Sequence, residues 1–186
     1  MRRALLAALV MAGTLVPAFG LPGAAHAAES EGVRIRLLEA PVSRRNDPRA
    51  RAYVVDHLQP GDEISRRIEV ANLTGESVDV AMYAAGATVD GGGFRGLEGR
   101  EANELSEWTT VTPASVDLAP GEAAEATVEV AVPRKAFGGE RYGVVWAELP
   151  GAQSQSGITI VNRVGIRMYL SVGGPKEPPS DFTVDE

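Results

Sequence analysis

Along most of this chain apolar and polar residues alternate with a period of two, the pattern of half-buried β-strands. One run places Ala126, Val128, Val130 and Val132 on one side and Glu125, Thr127 and Glu129 on the other. Another gives Ile158, Ile160, Val164, Ile166, Met168, Leu170 and Val172 a single parity that only Asn162 interrupts, with Thr159, Arg163 and Arg167 opposite. Earlier strands are predicted around Val33, Ile35 and Leu37, over residues 51–58, around Ile64, Ile68 and Val70, and around Val78, Val80 and Met82. Tyr142, Val144 and Trp146 alternate with Val145 and Ala147, and apolar residues on both faces predict a central strand. Tyr142 and Trp146 are expected in the core, and Trp108 at one end of it.

The punctuation between these runs is equally regular. Leu58-Gln59-Pro60-Gly61-Asp62 and Leu118-Ala119-Pro120-Gly121-Glu122 repeat one turn, in which proline pre-sets φ and glycine is free to take a positive φ. Thr74-Gly75-Glu76-Ser77 predicts a hairpin. Residues 102–108 are the one stretch where a short helical turn is expected, and the glycine-rich residues 90–96 predict a long exposed loop. About eight strands of antiparallel character with evenly spaced turns predict an all-β fold, an immunoglobulin-like antiparallel β-sandwich.

Composition sets the compartment. Arg2 and Arg3 precede an apolar run over residues 4–16, and Ala25-His26-Ala27 forms a small-residue cleavage pattern, so residues 1–27 read as a secretory signal peptide. Residues 28–173 form the predicted sandwich domain, and residues 174–186 a proline-rich linker followed either by the first strand of a further domain or by a frayed terminal tail. No membrane-spanning segment is expected in the mature chain, because the apolar C-terminal stretch is broken by Asn162, Arg163, Gly165 and Arg167. The absence of cysteine from an exported chain points to a bacterial module stabilised by its core alone. The net charge is −7, and loss of Arg2 and Arg3 makes it −9, which disfavours nucleic acid and anionic lipid as partners.

Candidate chemistry is sparse. His57 is the only histidine of the mature chain, so two-histidine metal sites are excluded and a nucleophile–base pair has one possible base. Glu98, Glu101, Glu104 and Glu107 recur every third residue, and Asp56, Asp62 and Glu63 cluster near the first turn, but no apolar setting marks one of them as a general acid. No enzyme activity, cofactor or metal is expected. Phe94 lacks a strand face to bury against, and with Arg95 it forms the candidate ligand contact, the alternative being a loop residue folded back on the end of the barrel. Asn72-Leu73-Thr74 matches a glycosylation tripeptide placed at a turn.

The order of these features carries more than any one of them. The Tyr53 strand runs into Leu58-Gln59-Pro60-Gly61, and Ile68-Glu69-Val70-Ala71-Asn72 follows. Ala87-Thr88 precedes a glycine-rich loop, then come Leu105-Ser106-Glu107-Trp108 and Val116-Asp117-Leu118-Ala119-Pro120-Gly121-Glu122. Val132-Pro133 then leads to Gly138-Gly139-Glu140-Arg141-Tyr142-Gly143. Over residues 33–172 this series resembles the N-terminal domain of the WxL-interacting proteins, secreted surface proteins of Gram-positive bacteria. The resemblance implies an immunoglobulin-like domain that binds peptidoglycan, followed in the family by a second sandwich that holds a WxL protein and by a membrane anchor. The resulting expectation is an exported, cell-wall-associated, non-enzymatic module with peptidoglycan as partner. The alternative is a protein-binding adaptor or chaperone-like domain that captures a surface protein through an edge strand.

Overall fold

The structure, a computed structural model, describes residues 32–44, 46–91, 93–153 and 159–174. Residues 1–27, read from the sequence as a signal peptide, lie outside them, as do Ile158 and most of the proline-rich tail. Among the described residues ten strands form two packed sheets, and the fold is an all-β immunoglobulin-like sandwich. One sheet has the order β1 (Val33–Leu37), β3 (Glu63–Asn72), β8 (Ala123–Ala131), β6 (Thr109–Thr112). In the other, β2 (Val54–Leu58), β10 (Thr159–Val172), β9 (Gly139–Gln153) and β4 (Val78–Asp90) lie side by side. Both β5 (Gly93–Gly96) and β7 (Ser115–Leu118) pair with β4. The pairings are antiparallel except that of β2 with β10, so β1 and β2 divide the N-terminal edge between the two sheets. Among the described residues no helix is long and apolar enough to cross a membrane.

Both Pro-Gly turns form as expected, at φ +95° for Gly61 and +76° for Gly121. Asp62 N donates to Gln59 O and Glu122 N to Ala119 O, at 3.0 Å each. The acidic side chain completes each turn, Asp62 accepting from Gln59 N and Glu122 from Ala119 N, at 2.8 Å each. The leucines that open the motif, Leu58 and Leu118, are buried.

The sandwich interior is filled by Ile68 and Val70 of β3, Val128 and Val130 of β8, Val80 of β4, Val145 of β9 and Met168 of β10, all below 3% exposed. Each side chain of this size contributes roughly 1.5–3 kcal/mol by leaving water. The helical turn α1 (Glu104–Glu107) forms where it was expected, capped by Asn103, whose side chain accepts from Ser106 N while Ser106 Oγ accepts from Asn103 N. Trp108 ends α1 and packs against the core, with the Arg141 guanidinium 5.0 Å from its ring.

Three sequence expectations need correction. Residues 93–96 are a strand, not a loop, with Phe94 opposite Val89 and Gly96 opposite Ala87. Tyr142 and Trp146 do not fill the sandwich core, because β9 turns Val145 and Ala147 inward and the opposite parity outward. The strand beginning at residue 51 starts only at Val54, since Pro48–Arg51 is a 3₁₀ turn. β9 does lie centrally, between β10 and β4.

Candidate functional site

The outward face of the larger sheet is where the side chains with binding chemistry collect. Register puts Tyr83 of β4, Trp146 of β9 and Gly165 of β10 in one row. A second row holds Ala85, Val144 and Arg167, and the next pairs Tyr142 with Tyr169. A sheet face of this kind ordinarily meets water, yet Ala85 and Val144 are at most 2% exposed.

The β4–β5 hairpin accounts for this. Although β5 pairs with β4, its Phe94 ring lies 5.3 Å from that of Tyr169 on β10, two strands further across. The hairpin therefore bends over the outward face. Gly96 faces Trp146, where an added Cβ would stand 3.1 Å from Cζ2, and Gly86 faces Leu97, where one would stand 2.7 Å from Cδ1. Tyr169 also meets Tyr53 at 5.8 Å and Tyr142 at 6.0 Å, so four rings from four strands or their flanks form one cluster. Arg167, exposed, lies 5.0 Å from the Phe94 ring and 5.6 Å from the Tyr53 ring.

Further along the face Arg163 lies 4.4 Å from the Trp146 ring, and its guanidinium donates to Gly99 O at 2.7 Å. Arg100 lies 4.1 Å from the Tyr83 ring and donates to Glu148 at 2.9 Å, while Tyr83 OH also donates to Glu148. Burial pushes the Glu148 carboxyl up, but these hydrogen bonds outweigh it and leave the group below its ordinary range. Asp47 and Glu69 are lowered as well, each chiefly by an arginine hydrogen bond. Such groups are poor general acids for glycoside cleavage.

Trp146 lies across Gly165, where a Cβ would stand 2.5 Å from Val144 Cγ1 and 2.7 Å from Trp146 Cε3. Gly165→Ala is therefore expected to destabilise the protein by about 1–3 kcal/mol and to shift tryptophan emission, since the indole must lift off the sheet. Unchanged emission and an unchanged thermal midpoint would contradict this packing.

Tyr142 is pushed up to about 12, first because its hydroxyl donates to Glu140 and then by burial. An unfolded phenol releases its proton near 10, so the stability linked to this proton is complete below about 10 and lost as pH rises towards about 12. Tyr142→Phe is expected to remove one tyrosine from the late part of a tyrosinate absorbance titration. A titration confined to the ordinary range in both proteins would contradict the contact.

The sequence-derived candidates separate. Phe94 joins the aromatic cluster, whereas Arg95 points to the opposite side of the hairpin, 73% exposed and 3.9 Å from Asp90. Sequence reasoning missed Tyr53, Tyr169 and Arg167. Their one local signal was that Arg167 and Tyr169 share the strand face opposite Ile166, Met168 and Leu170.

His57 contacts Ser171 Oγ through Nδ1 at 3.2 Å, and Gln59 Nε2 lies 3.3 Å from its Nε2. Among the described residues no group of three or more His, Asp or Glu side chains is placed to hold a metal. Asn72 is fully buried, its amide nitrogen donating to the carbonyls of Glu76, Leu118 and Ala119, so the tripeptide it opens is no accessible glycosylation site in the folded chain.

No protein-family model matches the sequence, and no curated protein matches it. Solved structures are similar in fold. A chain of the Salmonella enterica SafA pilin–SafB chaperone complex shows 9% identity and a TM-score of 0.47 over 78% of this chain and 57% of that one. The periplasmic chaperone SfaE shows 13% identity and a TM-score of 0.44, over 80% and 60%. A family 123 glycoside hydrolase from Clostridium perfringens shows 11% identity and a TM-score of 0.45, over 75% and 27%. The chain thus spans no more than 60% of the length of any of these three.

Proposed function

We propose that this chain is an exported, non-enzymatic binding module of a Gram-positive cell surface and that its ligand is peptidoglycan. The observation that carries the reading is the cluster of Tyr53, Phe94, Tyr142 and Tyr169 on the outward face, half-buried and therefore still partly open, with Arg167 beside it. Ligand sites typically combine aromatic surface with a few charged or polar groups that fix orientation, and the C–H faces of sugar rings pack on such rings. Strands rather than loops carry most of these side chains, so the surface is formed before the ligand arrives. Export and wall association draw their support from the signal-like N-terminus and the order of the sequence motifs.

The test is retention of the chain from residue 28 onward on purified insoluble peptidoglycan, beside an unrelated acidic protein. Saturable retention above the control is expected, with Phe94→Ala about tenfold weaker or worse. Retention no better than the control would overturn the reading. An adaptor role is the second reading, favoured by β1 and β2: among the described residues each pairs on one side only.

A further inference from the structure

Arg167 differs from its arginine neighbours in what it lacks. On the same face Arg100 pairs with Glu148, and Arg163 donates to the Gly99 carbonyl. The Arg141 guanidinium pairs with Glu104, and Arg95 lies near Asp90. Among the described residues Arg167 has its two ring contacts, with Phe94 and Tyr53, and neither a carboxylate partner nor a carbonyl of the kind that engages Arg163. The acids sharing its face on β9 are engaged elsewhere, Glu140 by Tyr142 and Glu148 by Tyr83 and Arg100. In a chain of net charge −7 an exposed cation without a counter-charge, held against two rings, is left open to an anion.

Resting on the peptidoglycan reading, we infer that Arg167 is the anchor for a free carboxylate of the wall's stem peptide, while the rings of Phe94 and Tyr53 hold the adjoining part of the ligand. A guanidinium lying against rings keeps its N–H edge available, and that planar fork matches a planar carboxylate. One cation also suits one carboxylate. A polyanionic phosphate polymer would need several cations to offset the repulsion of so acidic a chain.

The experiment compares retention on three forms of insoluble peptidoglycan: native, stripped of phosphate-bearing polymers, and stripped with its carboxyls capped as neutral amides. The proteins are the chain from residue 28 onward, Arg167→Gln and Arg167→Lys, each checked for an unchanged thermal midpoint. The expected result is equal retention on native and stripped wall, about tenfold loss on capped wall, and the same loss for Arg167→Gln on stripped wall with no further loss on capped wall. Arg167→Lys is expected to fall between, because a point charge keeps the attraction but not the fork. Capping that leaves retention unchanged would overturn the anchor while leaving peptidoglycan binding intact. Loss on removal of the phosphate polymers would overturn it in favour of a phosphate ligand. No saturable retention on any wall would overturn both this inference and the function on which it rests.

Discussion

Asn72→Ala is expected to lower the unfolding free energy by about 3 kcal/mol, seen as a lower urea midpoint with an unchanged slope. This side chain ties together the two turns at one end of the sandwich. Its Nδ2 donates to Glu76 O at 2.7 Å and to Leu118 O and Ala119 O at 3.1 Å each. Its Oδ1 accepts from Thr74 N at 2.8 Å and Thr74 Oγ1 at 2.7 Å. Its backbone is engaged too, since Asn72 N donates to Glu122 O and Gly121 N to Asn72 O. Alanine keeps the backbone bonds but takes a donor from the buried or half-buried Leu118 and Ala119 carbonyls, and an unmade buried bond costs more than a made one contributes. A loss below about 1 kcal/mol would mean that the turns hold without it.

Asp56→Ala is expected to cost a similar amount, about 3 kcal/mol, because it strands a cation inside the sandwich. Arg66 of β3 shares its parity with Ile64 and Ile68, points between the sheets, and donates to Asp56 of β2 at 2.7 Å. Both side chains are less than 15% exposed. Replacing both by leucine is expected to be less damaging than removing the aspartate alone, since the double change removes the Arg66 charge together with its partner. Chemical denaturation of the three variants checks this. A double variant that is less stable than Asp56→Ala would contradict it.

The legibility of the fold follows from which contacts are local. The Leu-x-Pro-Gly-acid turns could be read directly, because their hydrogen bonds close within four residues. The alternation in β8 and β10 was equally readable, since period two is a property of the strand itself. That alternation does not say which face of β9 meets the other sheet, and only the packing of the two sheets turns Val145 and Ala147 inward and Tyr142 and Trp146 outward. β5 was hidden for another reason: Gly93 and Gly96 have no preference for a strand, and only pairing with β4 and the contact of Phe94 with Tyr169 hold them in one. Arg66 carried a readable signal, a charge on an otherwise apolar face, but its partner lies across the sandwich. The candidate site was legible only at Phe94. Tyr53, Tyr142 and Tyr169 are separated by up to 116 residues, and only the sheet order brings them together.

The measurement that bears most directly on the outward aromatic face is a titration of isotope-labelled protein, from residue 28 onward, with a soluble disaccharide–stem-peptide fragment of peptidoglycan, followed by nuclear magnetic resonance. The predicted result is saturable shifts centred on Tyr53, Phe94, Arg167 and Tyr169, with β1 and β6 on the opposite sheet unmoved. Shifts centred on β1, or none at fragment concentrations where the wall retains the protein, would contradict the assignment of the binding surface to this face.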